Sequence, residues 1–125
     1  KNDVEKVVTQ YYQQGFLDEK QSVIIKEKIK AIVNHPKLIN YFSDEVIIYN
    51  EREIVDVDNQ IIIPDRLVFN TKNEVTIIDY KTGKPLKEHH QQLLKYENVL
   101  KTMNFTINKK LLIYINDEIL IEESK

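Results

Sequence analysis

The stretch Glu74-Val75-Thr76-Ile77-Ile78-Asp79-Tyr80-Lys81-Thr82-Gly83 is a short apolar strand that finishes in charge. Strand side chains alternate with period two, so Asp79 and Lys81 project from the face that carries Val75 and Ile77, and Tyr80 points away. One strand earlier, Ile63-Pro64-Asp65-Arg66 has the same character. There Asp65 shares a face with Ile61, Ile63, Leu67 and Phe69. Two carboxylates and an amine on apolar faces are costly unless they are paired or bound to a metal. Together they are suited to holding a hard divalent cation and placing a water against a phosphate.

Outward from this stretch, Thr71-Lys72-Asn73 is a hairpin turn that joins a strand over 60–70 to the strand over 74–81. Pro64 marks a bend or an edge in the earlier strand. Residues 45–57 alternate as one long strand, closed by a turn at Asp58-Asn59. Further upstream the apolar period becomes helical. A helix over 3–16 carries Val4, Val7, Val8, Tyr11 and Tyr12 toward the core, and Gly15 terminates it. Asp18 caps a second helix over about 19–34, whose core residues are Val23, Ile24, Ile25, Ile29, Ile32 and Val33. His35-Pro36 breaks that helix, and a short helical turn follows at 37–42.

Downstream, Gly83 and Pro85 interrupt the chain. A helix over about 87–103 follows, with the stripe His89, Leu93, Tyr96, Leu100 and Met103. Residues 106–115 and 118–123 form two more strands around Asn116-Asp117. Helices, hairpin strands, a crossover helix and further strands predict an α/β fold: a mixed β-sheet core flanked by helices. It forms a single domain over 1–125, with a helical lead-in over 1–42 and the sheet core with its crossover helix over 43–125.

The bulk properties agree. A chain of 125 residues with 42% hydrophobic and 30% charged residues fits one globular domain. No apolar run approaches the roughly 20 residues that span a bilayer, so no membrane partner is expected. The polar opening Lys1-Asn2-Asp3 has no signal-peptide pattern. The lack of cysteine excludes disulfides and thiolate metal sites and is compatible with a reducing cytoplasm. The net charge of −2 conceals a local excess of lysine. Lys81, Lys84, Lys87, Lys95, Lys101, Lys109 and Lys110 face only Glu88 and Glu97 over residues 81–110. Such a patch could follow a phosphate backbone, and a solvated helix with lysine-rich ends would look the same.

A lone Asp-X-Lys is a weak signal, because charged pairs at strand ends are common. Here it stands in a wider pattern. Pro64-Asp65-Arg66, a hairpin, Ile77-Ile78-Asp79-Tyr80-Lys81-Thr82-Gly83 and then Gln92-X-X-X-Tyr96 resemble the PD-(D/E)XK nuclease superfamily, in particular its RecB/AddA branch. Asn50-Glu51-Arg52-Glu53 and Pro36-Lys37-Leu38-Ile39-Asn40-Tyr41-Phe42 also look like that branch, so the similarity covers roughly residues 35–100. It implies a restriction-endonuclease-like core and cleavage of DNA with magnesium or manganese. It further implies that Asp65 and Asp79 are metal ligands, that the Tyr80 backbone carbonyl adds a third oxygen, and that Lys81 is the catalytic lysine. Gln92 and Tyr96 share a helix face at i and i+4, and in the family this pair organises the site and the DNA strand.

The resemblance also carries a setting. In that branch the nuclease domain usually ends a UvrD-like helicase or belongs to its partner subunit. The implied partners are therefore DNA, a helicase region of the same chain, which alone would bind ATP, and a partner nuclease subunit. The implied role is double-strand break processing and recombinational repair in a bacterial cytoplasm. The chain departs from the branch in one respect. A histidine on a helix upstream normally completes the metal site, and none of His35, His89 and His90 matches it. The expectation is a fragment of a longer helicase–nuclease whose upstream helix lies outside the chain, with weak metal binding and slow or absent cleavage in isolation.

Other residues keep two readings. Glu53 shares a strand face with Val55 and Val57, where it could be an accessory to the site or an outward ion pair. Arg66 points to the face opposite Asp65, which favours a structural role over a DNA contact. Lys84, Lys87 and Lys95 are weak candidates for holding the DNA backbone. His89 and His90 lack metal-ligand spacing and read as a solvent-facing pair at a helix start. Tyr11 and Tyr12 read as core packing. The alternative to a nuclease is a non-catalytic domain of the same fold that binds DNA or braces a helicase. A third reading is a small interaction domain with structural carboxylates.

Overall fold

The computed structural model describes residues 2–12, 19–42, 47–50, 53–55, 59, 61–115 and 119–124, with side chains described except at 2, 10–12, 19–22 and 47. Its elements are α1 (Asn2–Tyr12), α2 (Glu19–Val33), a 3₁₀ turn (Ile39–Tyr41), β1 (Ile47–Asn50), β2 (Ile54–Val55), β3 (Ile61–Ile62), β4 (Arg66–Phe69), β5 (Glu74–Lys81), α3 (Lys87–Thr102), β6 (Thr106–Ile115) and β7 (Ile119–Ser124). Five strands form a mixed sheet in the order β1-β4-β5-β6-β7. β5 and β6 are parallel and joined by α3, whereas the other neighbours are antiparallel. The chain is thus α/β with a mixed sheet flanked by helices, as the order of elements predicts.

The sheet is covered on both faces. Val4 and Val8 of α1 and Ile25 and Ile32 of α2 pack with Val68, Ile78, Tyr80, Leu111, Ile113 and Ile115. Leu93, Tyr96, Val99 and Leu100 of α3 pack on the other face with Leu67, Phe69, Val75, Ile77, Leu112 and Tyr114. Double coverage explains why Val75–Tyr80 and Leu111–Ile115 are buried at every position and are apolar apart from Thr76 and Asp79. Among the described residues, no helix is long and apolar enough to cross a membrane.

The β4–β5 hairpin is built from its turn residues. Asn73 adopts φ 61°, and Asn70 Oδ1 accepts from the Lys72 and Glu74 N–H groups at 3.0 and 2.9 Å. Asparagine tolerates the left-handed region and bonds its own backbone two residues on, which closes the turn without glycine.

Several expectations need correction. The single long strand over 45–57 is two strands: β1 pairs with β4, and β2 pairs with β3 in a separate two-stranded sheet. The strand over 60–70 likewise divides at Pro64-Asp65 into β3 and β4. Proline lacks the N–H that would continue a ladder, so alternation does not carry across it. Ile62 is consequently the buried residue, at 2% exposure, while Ile61 and Ile63 are half exposed instead of sharing the face of Asp65. In α2, Ile25 and Ile32 are buried but Val23 and Ile24 are exposed. In α3, Val99 joins the buried stripe, and Met103 lies beyond the helix end and is exposed. Gly15, Asp18, Asp58 and the Asn116-Asp117 turn lie outside the described residues, as do the side chains of Tyr11 and Tyr12.

Candidate active site

Three elements supply the site. Asp65 stands immediately before β4, Asp79 and Lys81 end β5, and Gln92 and Tyr96 lie on the first half of α3. Alternation in β5 turns Asp79 and Lys81 toward α3 and Tyr80 toward α1 and α2, as the strand period predicts.

The polar groups are connected. Asp65 Oδ2 accepts from the Tyr80 main-chain N–H at 2.9 Å. Lys81 Nζ lies 2.8 Å from Asp79 Oδ2 as an ion pair. The same ammonium donates to Gln92 Oε1 at 2.5 Å, and Gln92 Nε2 donates to the Tyr96 hydroxyl at 2.7 Å. Asp79 is 2% exposed, and its Oδ2 has no hydrogen-bond partner among the described residues despite the nearby ammonium.

Burial, a hydrogen bond with Asp79 and the charge of Asp79 push the Asp65 carboxyl up from 3.8 to about 7, against the opposing pull of the Tyr80 N–H and Lys81. Two carboxyl groups within hydrogen-bonding reach cannot both ionise freely. Burial, with the charges of Asp79 and Asp65, pushes the Tyr96 phenol up to about 12. Tyr96 therefore serves as a neutral hydroxyl that orients Gln92.

A pH dependence follows. Between about 4 and about 7 the folded state holds a proton on Asp65 that the unfolded chain has released. Folding stability of the metal-free protein is therefore expected to fall as pH rises through that window. Urea midpoints measured across it should decline in the wild type, and Asp65→Asn should flatten the decline. An unchanged slope in that variant would show that Asp65 is not the group that holds the proton.

The remaining candidates lie elsewhere. Glu53 is exposed and lines a cavity of about 350 Å³ with Tyr49, Phe69, Met103 and Phe105, none of them residues of the polar cluster. Lys84, Lys87 and Lys95 are exposed. The lysine patch is not continuous. Lys110 is buried and pairs with Glu97 at 2.9 Å, Lys101 pairs with Glu97 at 3.3 Å, and Lys109 faces the other side of the sheet beside Tyr41 and Leu111. Glu97 is held ionised: although burial pulls its carboxyl upward, Lys110 and Lys101 bring it below the ordinary range. Among the described residues, no group of three or more His, Cys, Asp or Glu side chains is placed to hold a metal ion, so no histidine joins Asp65 and Asp79.

Two groups escape the sequence reading. Tyr114 pairs with Lys81 in the β5–β6 register, and its hydroxyl lies 2.9 Å from His89 Nδ1, so His89 is not a free surface residue. Its neighbour His90 meets Glu122 at 3.3 Å. On the opposite face, Arg66 is fully buried and pairs with Asp3 at 2.8 Å, donates to the Tyr41 carbonyl at 3.0 Å and stacks over Phe42 at 4.2 Å. Arg66 is structural, as its alternation suggests. Tyr114 could have been sought by alternation from Leu112, whereas nothing local marks Asp3.

No family model and no curated protein matches the chain. Among solved structures, one described as "Crystal structure of SSO0001" aligns over 99% of this chain and 76% of that one, at 18% identity and a TM-score of 0.47. A likeness of that size identifies neither a family nor an activity.

Proposed function

We propose that the chain is a metal-dependent DNA nuclease domain of the PD-(D/E)XK type. The observation that carries this reading is the convergence of Asp65, Asp79, Lys81, Gln92 and Tyr96 into one connected polar cluster on otherwise apolar faces. The donor set fits a hard cation, because magnesium needs only one or two carboxylates and keeps several waters. Asp79 Oδ2 is buried with the Lys81 ammonium 2.8 Å away, so the oxygens of Asp65 and Asp79 are the donors such an ion would take.

Asp65 and Asp79, with the Tyr80 carbonyl as a further oxygen, would hold magnesium or manganese, which supplies charge neutralisation and water activation to phosphodiester hydrolysis. The protein's own part is positioning. Gln92 accepts from Lys81 while its amide donates to Tyr96, so the helix fixes where the ammonium points. Lys81 is more accessible than Asp79, their side chains being 21% and 3% exposed. It can donate to a phosphate oxygen as negative charge builds or orient the attacking water. Asp65, restrained by the Tyr80 N–H, keeps the second carboxylate beside the first. Exposed Lys84, Lys87 and Lys95 would contact the strand's phosphates. We place the domain in a cytoplasmic helicase–nuclease that processes double-strand breaks, with strand trimming in preference to sequence-specific cutting.

The direct test is degradation of DNA by the full-length protein with magnesium or manganese. A complementary test is a manganese-soaked crystal, in which density is expected between Asp65 and Asp79. Manganese should also raise the melting temperature at neutral pH, because a ligand at a hundred times its Kd adds about 2.7 kcal/mol. Asp79→Asn should remove that increment. An equal increment in the variant would place the ion elsewhere.

A further inference from the structure

The antiparallel ladder between β4 and β5 ends at the pair Arg66↔Ile78. Asp65 precedes that last pair, and Asp79, Tyr80 and Lys81 follow it. The charged residues of the site therefore sit on two backbone segments beyond the point where β4 and β5 are paired. β5 remains held on its other side, through Asp79↔Leu112, Tyr80↔Ile113 and Lys81↔Tyr114 with β6. The separation of Asp65 from Asp79 and Lys81 is left to side chains.

Besides the contact between the Asp65 and Asp79 carboxyls, two links span this gap. On the site face, the Tyr80 N–H holds Asp65 Oδ2 at 2.9 Å. On the opposite face, Arg66 Nη1 donates to Asp3 Oδ1 at 2.8 Å, and the Tyr80 hydroxyl donates to Asp3 Oδ2. One carboxylate on α1 thus ties the residue after Asp65 to the residue between Asp79 and Lys81. All three side chains are buried, at 8%, 1% and 7% exposure for Asp3, Arg66 and Tyr80. Only a carboxylate offers two acceptor oxygens to a guanidinium and a phenol at once; an amide of the same shape offers one.

We infer that Asp3 is a positioning residue for the Asp65, Asp79 and Lys81 site, acting through Arg66 and Tyr80 from behind the sheet. Its catalytic consequence rests on the nuclease reading, but the geometry it imposes does not. The carboxylate that makes this link is carried by α1.

The test compares the 125-residue chain with Tyr80→Phe and Asp3→Asn. Tyr80→Phe keeps the Arg66–Asp3 pair and the ring's packing, so it decides the matter even where Asp3→Asn fails to fold. Without metal, the amide of residue 80 is expected to exchange hydrogen about tenfold faster in the variants, with the amides of Ile78 and Leu112 at their wild-type rates. Manganese affinity by calorimetry should weaken about tenfold. A residue-80 amide that does not change, or equal acceleration of all core amides, would overturn the inference and leave Asp3 a general stabiliser. Should the wild type bind no manganese that Asp79→Asn abolishes, the nuclease reading fails separately, and the amide comparison still decides the positioning role.

Discussion

Lys81→Ala is expected to lower metal-dependent DNA cleavage by about 10²–10⁴-fold while leaving the domain folded. The size follows from what the ammonium does. It is held between Asp79 at 2.8 Å and Gln92 at 2.5 Å, so its position is set before any substrate arrives. Preorganised charge of this kind acts where negative charge develops and needs no rearrangement during reaction. The side chain is partly exposed, so its removal opens no large cavity. Asp79→Ala should abolish cleavage as well, through loss of a metal ligand. The measurement is release of nucleotides from end-labelled DNA with magnesium, alongside a thermal melt to show folding. Wild-type cleavage by either variant would end the nuclease assignment and favour a non-catalytic DNA-binding domain of the same fold.

Arg66→Ala is expected to destabilise the domain by about 3–5 kcal/mol. The guanidinium is 1% exposed and joins α1, the Tyr41 carbonyl and β4 in one contact set. Its loss takes the guanidinium from a buried carboxylate that the Tyr80 hydroxyl also contacts. Burial alone would raise the Asp3 carboxyl, but the Tyr80 hydroxyl and Arg66 hold it below its ordinary 3.8. A domain of this size is stable by only about 5–15 kcal/mol, so the variant approaches the unfolding threshold. Replacing both partners with apolar residues, as in Arg66→Met with Asp3→Leu, should recover much of the loss, since no charge is then left unpaired. Urea titration of the wild type and both variants measures this. A single-variant cost below about 1 kcal/mol would mean that water reaches the pair.

Much of the site could be read along the chain because its parts obey local periods. Asp79 and Lys81 are two residues apart in a strand, and Gln92 and Tyr96 are four apart in a helix. Each pair had to share a face, and each does. What could not be read is equally specific. Asp3 lies 63 residues from Arg66 and 77 from Tyr80, and Glu97 lies 13 from Lys110 across a helix end and a turn. No period relates such positions. Lys110 looked like part of a basic patch because a lysine among lysines in a sequence carries no sign of being buried.

Sequence alone determined the class of the fold, the shared helix face of Gln92 and Tyr96, and the faces on which Asp79, Lys81, Tyr80 and Arg66 lie; that Gln92 and Tyr96 meet the site was implied only by the family resemblance. These depend on backbone geometry within single elements, which repeats every two or 3.6 residues. Tertiary structure decided where the strands break, which lysines stay exposed and how the site is held from behind. The alternation over 45–57 is the same for one long strand or two short ones, and only the partners, β4 and β3, separate them. Asp3 acquires its role by being buried against two residues distant in sequence, because a buried charge takes its meaning from the partners that folding brings to it.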